Sequence, residues 1–198
     1  MKLERAKPQL VFDVGGVLAE NLDEFWSGMA QASGVKRADL RTRYKAEVGA
    51  ALWRGSLAEE DFWLWLGETC PTVKTSEARA LLKKVLIPLP ALGWVKGWSE
   101  NADIHILSNH VAEWIYPLFT EIEDSISSIV VSSEVGYEKP DPRLFEWAAT
   151  KLKGSDICFV DDKLSNLEAA QRLGWDTILA DPDGHWVREI DDRLNARV

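Results

Sequence analysis

Four short segments of this chain carry the side chains that could do chemistry, and carboxylates are prominent among them. Asp13 follows a short apolar run, Leu10–Phe12, that is typical of a buried strand. Gly15 and Gly16 come next, and glycines let the backbone approach a ligand without a Cβ in the way. The other three segments lie downstream and hold polar or charged groups: Ser108 with Asn109, Lys139, and Asp161 with Asp162.

These residue types fit one reaction when they are taken together. Two carboxylates from different segments, Asp13 and either Asp161 or Asp162, form an oxygen site of the kind that Mg²⁺ binds while it keeps several waters. Lys139 adds a cation, and Ser108 adds a donor near a helix start, where anions are favoured. A carboxylate nucleophile, a divalent metal, a lysine and a hydroxyl indicate phosphoryl transfer through an aspartyl-phosphate. Each group alone is also common in turns, helix caps and solvated surfaces, so the interpretation requires that the fold bring them together.

The pattern of elements predicts such a fold. Short β-rich runs alternate with helical patterns after residue 92, and this alternation predicts right-handed crossovers and a parallel sheet. We predict five strands at residues 10–12, 104–107, 129–131, 157–160 and 177–180. Three of the four chemical segments directly follow such a strand, and Lys139 lies in the loop beyond another. Because the carboxyl ends of parallel strands share one edge, we expect these groups to meet there.

Residues 21–86 show helical periodicity almost throughout. Gly34 is a plausible stop for the first helix, and Ser56 with Glu59 forms a capping-box pattern before another. A further apolar stripe includes Leu40 and Tyr44. We therefore predict an α/β fold, a doubly wound, Rossmann-like parallel sheet with an inserted all-helical domain. The predicted domains are an α/β core of residues 1–19 and 92–198, and a helical cap of residues 20–91.

Composition excludes several classes of protein. The 198 residues carry a formal net charge of -9, which argues against non-specific nucleic-acid binding. The longest apolar region, Val85–Val95, is broken by prolines and is too short to cross a bilayer, so no membrane partner is expected. The first nine residues lack the apolar run of a signal peptide. We expect a soluble, cytoplasmic protein, whose oligomeric state the sequence does not indicate. Among its ten Trp, Trp26, Trp53, Trp63 and Trp65 crowd the first third, mainly as packing residues.

The four segments also resemble a known set of motifs. They read FDVGGVL at 12–18, ILSNH at 106–110, GYEKPDPRLF at 136–145 and FVDDKLSN at 159–166. In this order they are similar to the four motifs of the haloacid dehalogenase-like hydrolase superfamily. The helical stretch lies where members with a type-one cap carry that domain. The resemblance implies a Mg²⁺-dependent hydrolase acting on a small phosphorylated metabolite.

The resemblance also implies a role for each matching residue. Asp13 would be the nucleophile and a metal ligand, with the Gly15 carbonyl and Asp162 as the other protein ligands. Lys139 would neutralise charge on the nucleophile and the phosphate. The remaining roles would be phosphoryl binding by Ser108 and the Asn109 backbone, support of the metal loop by Asp161, and orientation of that loop by Asn166.

One position departs from the pattern. Phosphatases of this superfamily usually have a second aspartate two residues after the nucleophile, and this chain has Gly15 there. That aspartate normally protonates the leaving group and then activates water, help that is worth about 10²–10⁴-fold. We therefore expect slow hydrolysis of ordinary alkyl phosphates and a preference for leaving groups that need little protonation.

Two other functions stay open. A metal-independent 2-haloacid dehalogenase would use Asp13 to displace halide, which needs no proton, but the acidic last motif suits a metal better. A non-catalytic ligand-binding or interaction module would use the same scaffold with the Trp-rich cap as its contact surface. Chloride release identifies the first of these, and the absence of Mg²⁺-dependent phosphate release identifies the second.

Overall fold

The computed structural model describes residues 6–196, and its centre is a five-stranded parallel sheet. The strands are β1 Gln9–Phe12, β2 Asp103–Ser108, β3 Ser128–Val131, β4 Ile157–Asp161 and β5 Asp176–Leu179. Their order is β3-β2-β1-β4-β5, and every neighbouring pair is parallel. The chain thus builds outward from the central β1 in one direction and then in the other, which confirms the predicted doubly wound sheet. Residues 1–5 and 197–198 of the predicted core lie outside the described residues.

Helices connect and flank the strands. They are α1 Asp23–Ser33, α2 Arg37–Tyr44, α3 Ala50–Trp53, α4 Glu59–Thr69, α5 Thr75–Val85, α6 Val95–Ser99, α7 Ala112–Ile115, α8 Ser132–Val135, α9 Pro142–Ala149, α10 Leu164–Arg172 and α11 His185–Asn195. A π-helix, Lys45–Gly49, joins α2 to α3, and 3₁₀-helices cover Pro90–Trp94 and Tyr116–Ser125. Between residues 6 and 196, no helix has the length and apolar character needed to cross a membrane.

Alternating side chains of the central strand bury both faces of the sheet. On one face, Phe12 stacks on Trp98 of α6 with ring centroids 5.3 Å apart, and Trp186 of α11 lies 6.2 Å away. On the other face, Val11 belongs to a cluster with Phe145 of α9 and Leu167 of α10. Burial of large apolar side chains on both faces requires a helical layer on each side of the sheet.

The five helices α1–α5 are inserted between β1 and β2. The two connections that lead into and out of them pair side by side: the Glu20 amide donates to the Ile87 carbonyl, and the Leu89 amide donates to the Leu18 carbonyl, both at 2.9 Å. The entry and the exit of the helical insertion are therefore held together at one place.

Local sequence signals in the insertion gave mixed results. Gly34 ends α1 with a φ of 75°, as predicted. The predicted capping box at Ser56 is wrong, because the Ser56 hydroxyl donates to the Ala51 carbonyl and α4 begins after Ala58. The Glu59 carboxylate instead accepts an indole N–H.

Two differences lie in the core. The helix predicted through Trp114, Ile115 and Leu118 is α-helical only to Ile115 and then becomes 3₁₀, because Pro117 has no N–H for an α-helical hydrogen bond. The terminal helix α11 was not predicted. It covers the outer part of the sheet face that carries Phe12.

The insertion touches the core closely at Gly55, which has a φ of 68°. A Cβ at this position would overlap the carbonyl oxygen of Ser133, at the start of α8. Gly34 has a similar φ of 75°, but no atom lies within 4 Å of its Cβ position. The two glycines thus share a backbone conformation and differ in the space around it.

We expect Gly55→Ala to destabilise the protein much more than Gly34→Ala. The left-handed conformation costs an alanine about 1–2 kcal/mol at either site, whereas only Gly55→Ala also collides with a backbone carbonyl. Thermal unfolding should show a melting temperature lower by about 2–8 °C for Gly34→Ala and by at least twice that shift for Gly55→Ala. Equal shifts would contradict the close approach of the insertion to α8.

Candidate active site

The parallel sheet brings the chemical groups to one edge. Asp13 follows β1, Ser108 is the last residue of β2, and Asp161 is the last residue of β4. Lys139 comes from the loop between α8 and α9 and reaches the same edge. The structure therefore brings together the residues that the sequence analysis selected from four distant segments.

The ammonium group of Lys139 is the centre of this cluster. Its Nζ lies 2.9 Å from Oδ1 of Asp13 and 2.6 Å from Oδ2 of Asp161, and it donates to the Leu107 carbonyl at 2.9 Å. A lysine ammonium has three donors, and these three contacts use all of them. The Lys139 side chain is only 1% exposed, so its position is fixed by these contacts.

Burial and charge act against each other on these groups. Burial raises the pKa of Asp13 to about 6, although Lys139 opposes that shift. Burial also acts to raise the pKa of Asp161, but the ammonium of Lys139 and hydrogen bonds hold it below its usual value. Burial acts to lower the pKa of Lys139, and the two carboxylates more than offset this and raise it. Lys139 is therefore held as a cation between two acidic groups.

Two asparagines position the cluster. The Asn109 side chain pairs with the backbone of Lys139 in both directions, donating to its carbonyl at 2.8 Å and accepting from its amide at 2.7 Å. The Asn166 amide donates to both carboxylate oxygens of Asp161 at 3.0 Å. The Lys163 amide also donates to Asp161, at 2.8 Å. Asp161 is thus surrounded by donors.

The neighbouring Asp162 differs in one respect that matters for a metal. One oxygen each of Asp13, Asp161 and Asp162 lie within 4.8 Å of one another, a spacing that one cation could bridge. The Asp161 carboxylate is fully used by donors, whereas Oδ1 of Asp162 is buried without a hydrogen-bond partner. An unpaired buried carboxylate oxygen is costly, and a cation would satisfy it. The residues therefore fit Mg²⁺, and Asp162 suits it better than Asp161.

The glycine turn after Asp13 also suits a metal. Gly16 has a φ of 76°, and a Cβ there would lie 2.8 Å from Oδ2 of Asp162. Only glycine therefore lets this carboxylate approach the turn. In the described part of the chain, no backbone amide donates to the Gly15 carbonyl, and the contacts of Asp13 all use Oδ1. The Gly15 carbonyl is thus free to bind a cation, and Oδ2 of Asp13 has no hydrogen-bond partner among the described residues.

Ser108 offers a second unsatisfied group. Its hydroxyl oxygen is buried and has no hydrogen-bond partner. It lies at the end of β2, and the neighbouring Asn109 lines the same cavity as Asp13 and Lys139. A hydroxyl in this setting can donate to an oxygen of a bound phosphoryl group.

The position of the missing carboxylate is open. No atom lies within 4 Å of a Cβ built on Gly15, and its φ is outside the left-handed region. Gly15 also lines the cavity. A side chain could therefore stand at this position without displacing the backbone.

A cavity of about 450 Å³ lies above the cluster, between the sheet edge and the inserted helices. Trp26 and Trp53 line it, whereas Trp63 and Trp65 do not. The sequence analysis missed several further lining residues from the insertion, chiefly Arg41, Tyr44, Lys45 and Gly49. Arg41, Lys45 and Gly49 recur at four-residue spacing beside the buried stripe, which is the signal that could have identified them.

Comparisons with known proteins agree with this geometry. A family model described as haloacid dehalogenase-like hydrolase matches residues 9–174. A D-ribitol-5-phosphate phosphatase from Bacteroides thetaiotaomicron is 26% identical over 203 residues, which span 94% of this chain and 98% of that protein. A sesquiterpene phosphatase from Aspergillus oryzae is 27% identical over 181 residues, spanning 83% and 85%.

A solved structure shows the same fold. It is a HAD family enzyme from Bacteroides thetaiotaomicron in complex with magnesium and inorganic phosphate. It matches with a TM-score of 0.76 at 20% identity, covering 91% of this chain and 98% of that one.

We expect Asp162→Ala to weaken Mg²⁺ binding by at least about tenfold, because it removes a buried carboxylate oxygen that has no other partner among the described residues. Isothermal titration of Mg²⁺ into the protein measures this directly. Asp61→Ala, which removes an exposed carboxylate of α4 that does not line the cavity, is the matched control. Unchanged affinity in Asp162→Ala would exclude this residue as a ligand.

Proposed function

The chain belongs to the haloacid dehalogenase-like hydrolase family, and from this premise we propose that it is a Mg²⁺-dependent phosphatase acting through Asp13. One observation carries the proposal. Lys139 holds the Asp13 carboxylate, and two buried oxygens at the same sheet edge, Oδ1 of Asp162 and the Ser108 hydroxyl, have no hydrogen-bond partner among residues 6–196. A cation would bind the Asp162 oxygen, and a phosphoryl oxygen would accept from the Ser108 hydroxyl. The phosphatase relatives support this choice of substrate.

Each residue of the site has a separate role in the proposed phosphoryl transfer. Oδ2 of Asp13 attacks phosphorus, the bond between phosphorus and the leaving oxygen breaks, and an aspartyl-phosphate forms. Lys139 stabilises the negative charge on the nucleophile and the phosphoryl group, and Ser108 donates to a phosphoryl oxygen. Water then attacks the phosphorus, releases inorganic phosphate and regenerates Asp13. When Mg²⁺ is bound, Asp13, Asp162 and the Gly15 carbonyl would hold it, and it would supply further charge neutralisation at the phosphoryl oxygens.

Gly15 decides which substrates react well. No side chain at this position can protonate a departing alkoxide or take a proton from the attacking water. Acyl and anomeric phosphates have leaving groups that need less protonation than an alkoxide. We therefore propose slow turnover of alkyl phosphates and faster turnover of activated ones.

We also propose that residues 1–19 and 92–198 form the catalytic core and residues 20–91 the cap. The paired connections at Leu18–Glu20 and Ile87–Leu89 support this boundary. The cap contributes Arg41 and Tyr44, among others, to the cavity above Asp13.

The two other functions explain less of the site. A metal-independent dehalogenase would leave the buried Oδ1 of Asp162 unsatisfied. A non-catalytic binding module would not require a carboxylate held in place by a buried lysine, as Asp13 is held by Lys139. Chloride release from 2-chloropropionate without Mg²⁺ would favour the dehalogenase.

We expect Asp13→Asn to abolish phosphate release from acetyl phosphate, because an amide cannot attack phosphorus. Phosphate release is measured with Mg²⁺ present for wild type, Asp13→Asn and the exposed control Asp61→Asn. Wild type and control should show the same rate, and circular dichroism should show that all three are folded. If Asp13→Asn turned over acetyl phosphate at a rate within a few-fold of wild type, Asp13 would not be the nucleophile.

We expect Gly15→Asp to increase hydrolysis of alkyl phosphates on the order of 10²-fold, because it supplies the missing proton donor in open space. The gain should be small for p-nitrophenyl phosphate, whose leaving group needs little protonation.

Gly16→Asp is the matched control, since a Cβ there meets Asp162 and the backbone is left-handed. We expect it to lower Mg²⁺ binding and to give no gain. A folded Gly15→Asp protein that binds Mg²⁺ but gains nothing on alkyl phosphates would show that more than the acid is missing.

A further inference from the structure

The cap wall of the cavity carries two cations and a tyrosine close together. Arg41 and Tyr44 belong to α2, and Lys45 is the first residue of the π-helix. All three line the same cavity as Asp13 and Lys139. Residues 41 and 45 are about one helical turn apart, so they lie on one face of this helix.

Neither cation has an acidic partner among residues 6–196. Neighbouring arginines do: Arg37 pairs with Asp23 at 2.7 Å, Arg43 with Glu47 at 3.0 Å, and Arg54 with Glu138 at 2.9 Å. Asp23 of the cap and Glu138 of the core also line the cavity, and each of them is paired with one of these arginines. The guanidinium of Arg41 instead lies 5.5 Å from the ring centroid of Trp26, a cation–π contact. Arg41 and Lys45 are thus two cations without an ion pair, in a chain whose net charge is -9.

Tyr44 adds a buried donor. The residue is 4% exposed, and its hydroxyl proton has no acceptor within hydrogen-bond distance among the described residues. The nearby indole of Trp53 can only donate, so it cannot accept the Tyr44 proton. Burial raises the pKa of Tyr44, so the hydroxyl stays protonated.

The tyrosine ring is held in place. Trp26 packs against it with ring centroids 4.6 Å apart. On another side, a Cβ at Gly49 would lie 3.1 Å from Cε1 of Tyr44, so the glycine in the π-helix leaves room for the ring. Tyr44, which lines the cavity, therefore holds its hydroxyl donor in a defined position.

We propose that Arg41, Tyr44 and Lys45 bind a second anionic group of the substrate, a carboxylate. The inference rests on the proposed phosphatase function, because the phosphoryl group of the same molecule would lie at Asp13 and Lys139. Guanidinium, ammonium and phenol groups all donate to an anion, and charge-assisted hydrogen bonds are the stronger kind. A cavity of about 450 Å³ accommodates a small metabolite with an acidic group at each end. The substrate class is thus small phosphorylated acids rather than phosphorylated neutral polyols.

Binding of matched ligands tests this proposal without depending on turnover. Two pairs differ only by a carboxylate in place of a hydroxymethyl group: 3-phosphoglycerate with glycerol 3-phosphate, and 6-phosphogluconate with sorbitol 6-phosphate. In isothermal titration with Mg²⁺ at low salt, we expect the acid of at least one pair to bind about tenfold more tightly than its neutral partner. Added NaCl should reduce this ratio, because the cations are partly exposed.

Variants of the three residues test whether they cause the preference for the acid over its neutral partner. Arg41→Gln, Lys45→Gln and Tyr44→Phe should each reduce the ratio several-fold, mainly through weaker binding of the acid. Tyr44→Phe keeps the packed ring and removes only the donor. Arg43→Gln is the matched control, because Arg43 lies on the same helix, pairs with Glu47 and does not line the cavity.

The outcomes separate the two proposals. Equal affinity within both ligand pairs, together with phosphate binding, would overturn this inference alone. An equal reduction of the ratio in Arg43→Gln would also overturn it. A wild-type protein that binds no inorganic phosphate would overturn the phosphatase proposal and this inference with it.

Discussion

The ion-pair cluster around Lys139 is the interaction on which the candidate site depends. A buried ammonium costs several kcal/mol unless it is paired and hydrogen-bonded. Asp13, Asp161 and the Leu107 carbonyl meet that requirement, and they come from the ends of three adjacent strands. The loop that carries Lys139 must therefore close over the centre of the sheet, where the Asn109 side chain holds its backbone. The same contacts fix Oδ1 of Asp13 and leave its other oxygen for chemistry.

Asp161 and Asp162 are consecutive in the chain, but their carboxylates have different hydrogen-bonding surroundings. Asp161 is the last residue of β4, and its carboxylate accepts hydrogen bonds from Lys139, Asn166 and a backbone amide. Asp162 points to the glycine turn and keeps an unsatisfied buried oxygen. Because donors surround the Asp161 carboxylate and not that of Asp162, we propose that Asp161 supports the sheet edge and that Asp162 binds the ligand.

Aromatic packing links the cap to the core above this cluster. The Glu59 carboxylate of α4 accepts the indole N–H of Trp63, in the cap, at 2.7 Å and that of Trp114, in α7, at 2.9 Å. Trp53 packs edge-on against His110, which follows the Ser108 segment. Most of the tryptophans concentrated in the cap thus serve packing, and they hold α2 and the π-helix over the sheet edge. The substrate selection proposed for that helix face depends on this placement.

The sheet could be predicted from the sequence, because short apolar β-rich runs and period-3.6 helical patterns both reflect burial. Asp13, Ser108 and the paired aspartates could be identified because they lie at predicted strand ends, which share one edge of a parallel sheet, and Lys139 lies in a loop beyond another strand. Residue types alone left open whether Asp161 or Asp162 binds the metal, and only the family resemblance distinguished them, because the two residues are chemically identical and differ in which donors the folded chain places around them. The sequence could not find Arg41, Tyr44 and Lys45, whose helix carries no motif. Their meeting with Asp13 arises from long-range packing of the cap on the core, and local sequence patterns do not encode such contacts.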